Sequence, residues 1–254
     1  MPYPNLPEKR DSPAIITPER AIHYLKQQGS YDFDPPRRVI LTYSYTLFKQ
    51  IMQNFTHSSP PGRRKILLLD KYPVAVVGNI GIGGPMTATM VEELGVLGAK
   101  EFIIVGTAGA ISPSLDIGQV ALIDRAIRDE GVSHHYLPPA KWVAGSADLL
   151  NIVEQAVNSA EIDYQIGSSW TTDAPYRETE VELRTYQQEG VLAVEMETAT
   201  VFAICQYRNY QATALLIISD SLANLEWNPQ FHDRQMSTTL YQLAKIAITA
   251  GIDE

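Results

Sequence analysis

The sequence predicts a single α/β domain, a mixed central β-sheet flanked by helices on both faces. Three observations predict it. Short apolar runs alternate with longer amphipathic ones from about residue 36 onward. Hydrophobic residues make up 45% and charged residues 19% of the 254, which supports a sizeable core and argues against global disorder. No internal repeat, low-complexity tract or linker divides the chain, and the length suits one large α/β domain.

The elements follow in order. Residues 1–16 are proline-rich and read as irregular. Thr17-Pro18-Glu19 starts a helix, with Thr17 as cap and proline at the first helical position, running to about Gln28 and stopping at Gly29. Residues 1–35 thus read as an N-terminal segment and helix, and 36–254 as the main domain. Val39–Thr42 is a short strand and Thr46–Phe55 a helix, followed by a polar turn over His57–Arg64. Lys65–Leu69 and Val74–Val77 are strands, and Met86–Leu97 is a helix closed by Gly98. Strands follow at Phe102–Val105 and Val120–Ala126, a helix at Ala147–Ser159, a strand at Tyr164–Ser169 and a helix at Glu178–Glu189. Leu192–Val194 runs into the helix Thr198–Arg208, Ala212–Ile218 is the most apolar strand, and Arg234–Ala250 is the last helix. This alternation builds a largely parallel or mixed sheet covered on both faces.

Bulk properties exclude several function classes. A net charge of −9 repels phosphate backbones, so nucleic acid is not an expected partner. The single cysteine, Cys205, permits no internal disulfide and no cysteine metal site, and in its apolar stretch it reads as a small buried hydrophobe. No run of 18 apolar residues marks a membrane helix, and the N-terminus lacks the apolar region of a secretory signal, so the expectation is a cytoplasmic protein without membrane contact. His134 and His135 are adjacent and point in different directions, which suits a loop pair better than a metal site.

Five segments can carry chemistry. Gly78-Asn79-Ile80-Gly81-Ile82-Gly83-Gly84-Pro85 lies between a strand and a helix. Its glycines let backbone approach a ligand, although a plain tight turn explains it equally, and its spacing is neither the dinucleotide fingerprint nor a P-loop. Gly106-Thr107-Ala108-Gly109-Ala110 follows the strand Phe102–Val105 and reads either as a ligand-lining turn or as a plain connection. Val194-Glu195-Met196-Glu197-Thr198 carries two carboxylates between an apolar strand and an apolar helix. They read as helix-start acids or as a carboxylate accepting from both hydroxyls of a vicinal diol. Ile217-Ile218-Ser219-Asp220-Ser221 ends an apolar strand, so Asp220 is either a cap or a general acid in a partly desolvated crevice. Trp170-Thr171-Thr172-Asp173-Ala174-Pro175-Tyr176-Arg177 follows a strand, and Trp170 is either core or a stacking platform for a flat heterocycle.

Gly81-Ile82-Gly83-Gly84-Pro85, Gly106-Thr107-Ala108-Gly109-Ala110, Val194-Glu195-Met196-Glu197 and Ile218-Ser219-Asp220, in this order, resemble the nucleoside phosphorylase superfamily. That superfamily includes uridine phosphorylase, the hexameric purine nucleoside phosphorylases and methylthioadenosine nucleosidase. The resemblance spans roughly residues 36–250. It implies that Glu197 binds the ribose 2′- and 3′-hydroxyls, that Met196 packs on the sugar and that Glu195 supports them. It implies that Asp220 protonates purine N7 as the bond breaks, helped by Arg234 of Arg234-Gln235. Trp170, Ser219 and Arg177 would face the base, and Thr107 and Gly81 the phosphate. Uridine phosphorylases lack aspartate at the Asp220 position, and Thr179 and Val181 stand near their uracil-reading glutamine and arginine, so a purine is the expected base. No cofactor or metal is implied; phosphate is the co-substrate, and a homo-oligomer built from dimers, up to a hexamer, is expected.

The chain departs from this pattern at the phosphate end. The family's Gly-Asp-Pro loop and nearby arginine are replaced by Thr42-Tyr43-Ser44-Tyr45-Thr46-Leu47, with Tyr43 at the glycine and Leu47 near the arginine position. A second arginine position reads Ile104, and the histidine donated by a neighbouring subunit falls at Pro13, with His23 nearby on a helix. Losing two charged hydrogen bonds of roughly 1.5–3 kcal/mol each weakens phosphate by on the order of 10² to 10⁴-fold unless Arg63, Arg64 or Arg177 replaces them. Three readings stand: phosphorolysis, hydrolysis by a nucleosidase, and non-catalytic nucleoside binding or storage.

Overall fold

The computed structural model describes residues 6–10, 12–61, 63, 65–231 and 234–252. The first helix, α1 (Pro18–Gln27), starts as its sequence dictates: the Thr17 hydroxyl accepts the Arg20 N–H and proline follows the cap. β1 (Arg38–Leu41) and β4 (Val74–Val77) are buried along their whole length, as parallel strands covered on both faces must be. Between them lie α2 (Tyr45–Asn54), capped by Ser44, then β2 (His57–Ser58) and β3 (Ile66–Leu69). α3 (Gly84–Leu97) ends at Gly98, whose φ of 133° only glycine adopts without strain.

The second half supplies β5 (Glu101–Ala110), β6 (Val120–Asp129), β7 (Trp142–Ala144), α4 (Ala147–Ser159) and β8 (Tyr164–Thr172). It continues with α5 (Glu180–Gln188), β9 (Val191–Glu195), α6 (Thr198–Arg208), β10 (Gln211–Ser221), β11 (Asn228–Pro229) and α7 (Arg234–Thr249). Among the described residues the 11 strands form one mixed sheet, ordered β11-β10-β6-β8-β9-β5-β1-β4-β3-β2, with β7 beside β6. β10 also pairs with β5, so β5, β10, β6, β8 and β9 close into a ring. β5, β6, β8 and β10 are long strands of 9 to 11 residues, long enough to curl as closure requires.

The two faces of the sheet bury different sets of side chains. Phe102, Ile104, Ala214, Leu216 and Ile218 belong to one apolar cluster with Met90, Val91 and Phe202 of α3 and α6. Ile103, Val105, Leu215 and Ile217 belong to the other, with residues of α2, α4 and α7 such as Phe48, Val153 and Leu243. Odd and even residues of one strand thus serve opposite layers.

Two expectations change here. Gly106–Ala110 does not follow a strand; it is the second half of β5, paired with β10 and, at Gly109 and Ala110, with β9. Small residues that look like a turn are extended because partners on both sides take their backbone groups. Trp170 likewise lies inside β8, paired with Ile127 and Val194.

Candidate active site

Glu195 and Glu197 close β9 and open α6. Glu195 is fully engaged: Ser169 Oγ (3.1 Å) and Thr171 Oγ1 (2.5 Å) donate to Oε1, while the N–H groups of Glu197 and Thr198 (both 2.7 Å) donate to Oε2. Burial nevertheless pushes its carboxyl up, against the pull of those donors. Glu195 therefore caps the first turn of α6 and fixes the next carboxylate. Glu197 Oε1 accepts the Gly83 N–H at 2.5 Å, which joins the glycine loop to the start of α6. Desolvation, then the nearby Glu195 charge, raise Glu197 to about 8, with the Gly83 and Met196 N–H groups working the other way. Met196 is half-buried between the two.

The glycine loop is shaped for this contact. Gly81 and Gly83 have φ of 92° and 93°, and at Gly84 a Cβ would sit 2.7 Å from Thr200 Oγ1. Thr200 donates to Glu130, whose buried carboxylate also takes the Val132 and Ser133 N–H groups, a cluster absent from the sequence reading. Tyr43 stands beside Glu197, and burial followed by the Glu197 charge raises its phenol. Its hydroxyl lies 2.9 Å from Thr87 Oγ1, which itself donates to Gly83 O; Tyr43 is therefore the donor of the pair.

Asp220 sits across β5. β10 bulges between Ile218 and Asp220, pairing Ile218 with Ala108 and Asp220 with Gly109. The extra residue, Ser219, turns Asp220 onto the side of Gly109 instead of the face that Ile218 shares with Ala108. Gly109 is needed there: a Cβ would lie 3.1 Å from Asp220 Oδ2 and 2.9 Å from Leu222 Cδ1. Ser219 Oγ donates to Asp220 Oδ1 at 2.7 Å and lies 3.3 Å from Ala108 O, so this hydroxyl orients the acid. Trp227 Nε1 donates to Oδ2 at 2.9 Å. Glu178 feels the Asp220 charge, and burial followed by that charge raises it to about 7.

The remaining expected residues distribute as follows. Trp170 does not stack on a base. It is 1% exposed, packs with Ile127, Leu183, Val191 and Val194, and donates Nε1 to Asp129 at 2.9 Å; β8 runs on past it and keeps it in the core. Arg177 is exposed in the single turn Pro175–Arg177. Arg234, first residue of α7, is also exposed, and the oxygens of Asp220 are held by Ser219 and Trp227 instead. Thr107 is exposed on β5 and Gly81 in its loop. Leu47 and Ile104 are each 1% exposed, in opposite apolar clusters, and offer nothing to an anion. Arg63 lies 3.8 Å over the Tyr31 ring, and Arg64 is outside the described residues. His23 is exposed on α1 against Gln27, and Pro13 is exposed in the N-terminal segment. His134 Nε2 lies 3.0 Å from Arg128 O and His135 Nδ1 lies 2.7 Å from Lys9 Nζ. Among the described residues no group of three His, Cys, Asp or Glu is placed to hold a metal. Cys205 is buried, which pushes its thiol well up and makes it inert.

Sequence reasoning passed over Glu178 and Trp227. Glu178 looked like a helix-start acid. Trp227 sits in Asn224-Leu225-Glu226-Trp227-Asn228-Pro229, and a large aromatic in such a polar loop was the available signal.

No helix of the described residues is long and apolar enough to cross a membrane. The family model described as "Phosphorylase superfamily" matches residues 43–249. Over 144 residues the chain is 31% identical to uridine phosphorylase of Haemophilus influenzae, covering 51% of this chain and 57% of that protein. It is 30% identical to guanosine phosphorylase of Halorubrum lacusprofundi over 144 residues, covering 57% and 60%. These matches therefore span less than two thirds of either relative. Among solved structures, uridine phosphorylase from Vibrio fischeri superposes with a TM-score of 0.74 at 23% identity, covering 85% of this chain and 92% of that one. Purine nucleoside phosphorylase from Toxoplasma gondii, in complex with immucillin-H, gives 0.75 at 22%, covering 85% and 90%. Fold, motif order and the match over 43–249 lead to one assignment: the chain belongs to the phosphorylase superfamily.

Proposed function

We propose that the chain cleaves the N-glycosidic bond of a purine nucleoside with phosphate as nucleophile, a pentosyl transfer. The observation that carries this reading is the pair of nearly buried carboxyls, Glu197 tied to the glycine loop and Asp220 seated on Gly109, held on either side of β5. Glu197 accepts from the ribose 2′- and 3′-hydroxyls, and Met196 covers the sugar. Asp220 gives its proton to N7 as the bond to C1′ lengthens, so the base departs neutral while the ribose gains oxocarbenium character. Phosphate enters at C1′ from the side of Thr107 and Gly81. Relatives named for uridine and for guanosine are both similar to this chain, and the carboxyl of Asp220 favours the purine. No cofactor takes part. Exposed Ile15, Ile16, Ile82 and Met86 supply apolar surface for the homo-oligomer expected of the family.

A second reading, water as nucleophile, is favoured by buried Leu47 and Ile104 and by Tyr43 beside Glu197. A nucleoside panel assayed with and without phosphate, reading free base, separates the two: phosphorolysis stops when phosphate is omitted, and hydrolysis does not. Asp220→Asn should lower kcat by about 10²–10⁴-fold. Unchanged turnover in that variant would remove Asp220 as the acid, and no turnover by the wild type on any nucleoside would leave a non-catalytic nucleoside-binding protein.

A further inference from the structure

The glycine loop that meets Glu197 is not held by packing. Gly81 and Gly83 have positive φ, and nothing lies within 4 Å of where a Cβ would stand at either. Gly83 is also the N-cap of α3, with no side chain to make the cap. A glycine so placed moves freely unless hydrogen bonds fix it. At Gly83 those bonds run in one line. Its N–H donates to Glu197 Oε1 at 2.5 Å, and its carbonyl accepts the Thr87 hydroxyl at 3.1 Å and the Thr87 N–H at 3.4 Å. Thr87 is fully buried, so solvent does not reach its hydroxyl. Having given its proton to Gly83, that hydroxyl accepts the Tyr43 O–H at 2.9 Å. Tyr43 is itself anchored. Before it the Thr42 N–H donates to Val77 O, after it Ser44 caps α2, and its ring packs on the apolar cluster of α3 and α6. Burial raises its phenol, so it stays protonated and remains a donor.

We propose that Tyr43 is a positioning residue for the sugar end: through Thr87 it sets Gly83, so that the Gly83 N–H stays on the Glu197 carboxylate. This rests on the reading of Glu197 as the group that accepts the ribose hydroxyls. The N–H favours the ionised carboxylate, which is the form that accepts from two hydroxyls. Other groups work against ionisation: Glu195 at the end of β9 and Asp173 just past β8 both raise Glu197. Glu130, just past β6, is taken up by Thr200 and by the Val132 and Ser133 N–H groups. Without the Tyr43 O–H the Thr87 hydroxyl loses its donor and its grip on Gly83 slackens, because members of a hydrogen-bonded chain orient and polarise one another. Glu197 then ionises at higher pH, and the sugar is held less well near neutrality. Asp220, across β5, keeps its own partners Ser219 and Trp227.

The test is kcat and KM of the full chain for inosine, guanosine and adenosine from pH 6 to 10, in wild type, Y43F, T87V, T87S and the double variant Y43F/T87V. The expected result is a KM at pH 7 raised by about 3- to 10-fold in Y43F and in T87V, with kcat within about twofold. The gap from wild type should close as pH rises past the shifted midpoint. T87S keeps the hydroxyl and should match wild type, and the double variant should lose no more than either single one. An equal loss at every pH, additive losses in the double variant, or a Y43F indistinguishable from wild type overturns the proposal. Infrared titration of the Glu197 carboxyl, taken as the difference from E197Q, reads the midpoint without substrate. A wild type that cleaves no nucleoside defeats the reaction and leaves this arm to decide. A midpoint raised by about half a pH unit or more in Y43F supports the positioning role, and an unmoved one overturns it.

Discussion

The Trp227 indole donates to Asp220 Oδ2 at 2.9 Å although Trp227 is 63% exposed and Asp220 only 9%. A surface aromatic thus holds a buried acid through one polar bond, while Ser219 holds the other oxygen from within the strand. Trp227→Phe should lower kcat/KM by about 10-fold, in line with a charge-assisted hydrogen bond, and leave the melting temperature nearly unchanged because the ring packs little. Steady-state kinetics beside calorimetry checks both halves.

Glu197 makes nucleoside affinity depend on pH. Its carboxyl titrates at about 8 in the free protein, so near neutrality it is mostly protonated, and it must ionise to accept two sugar hydroxyls. Apparent affinity should therefore rise up to about tenfold per pH unit below 8 and level off above it. Calorimetry in two buffers of different ionisation enthalpy should also show proton release on binding; a flat profile from pH 6 to 9 would contradict this.

The same shift acts on stability with the opposite sense. A carboxyl raised from 4.5 to about 8 binds more protons folded than unfolded, so stability is present below 4.5 and falls as pH rises between those values. Glu197→Gln removes the charge and should raise the melting temperature at pH 8, with little gain at pH 5, while abolishing nucleoside binding. Thermal scans at the two pH values test it.

Glu195 should behave differently. Removing it strands the N–H groups of Glu197 and Thr198 and the hydroxyls of Ser169 and Thr171 in the interior. Glu195→Ala should cost about 3 kcal/mol or more in urea unfolding, whereas Glu197→Gln keeps the fold.

Gly109→Ala should reduce turnover by about tenfold or more, since the new methyl would meet Leu222 Cδ1 at 2.9 Å and Asp220 Oδ2 at 3.1 Å and displace the acid. Circular dichroism unchanged with kcat lowered is the expected result.

Much of the fold was legible because the signals were local. Thr17 caps where a threonine before proline should, Val74–Val77 is a strand at its expected bounds, and Ala147–Ser159 and Thr198–Arg208 are helices at theirs. The motif around Glu197 was legible because two carboxylates in an apolar setting require partners. What the sequence hid was set by distant pairing. Gly106–Ala110 looked like a loop until β10 and β9 took its hydrogen bonds. Trp170 reads as core or stacking platform alike until β8 extends around it, and the bulge at Ser219, which aims Asp220, has no period to betray it. Trp227 reaches Asp220 from a segment whose own sequence says only polar loop.

The ring that β10 closes orders events during synthesis. β5 can join β1 as soon as residue 110 has been made, but β9 and β10, and with them Glu197 and Asp220, arrive only with residues 191–221. For roughly a hundred residues the nascent β5 keeps an unpaired edge, the kind of exposed strand that invites mispairing or a chaperone. Contacts this far apart in sequence form late, so the parts of the molecule that meet the sugar and the base are among the last to take shape.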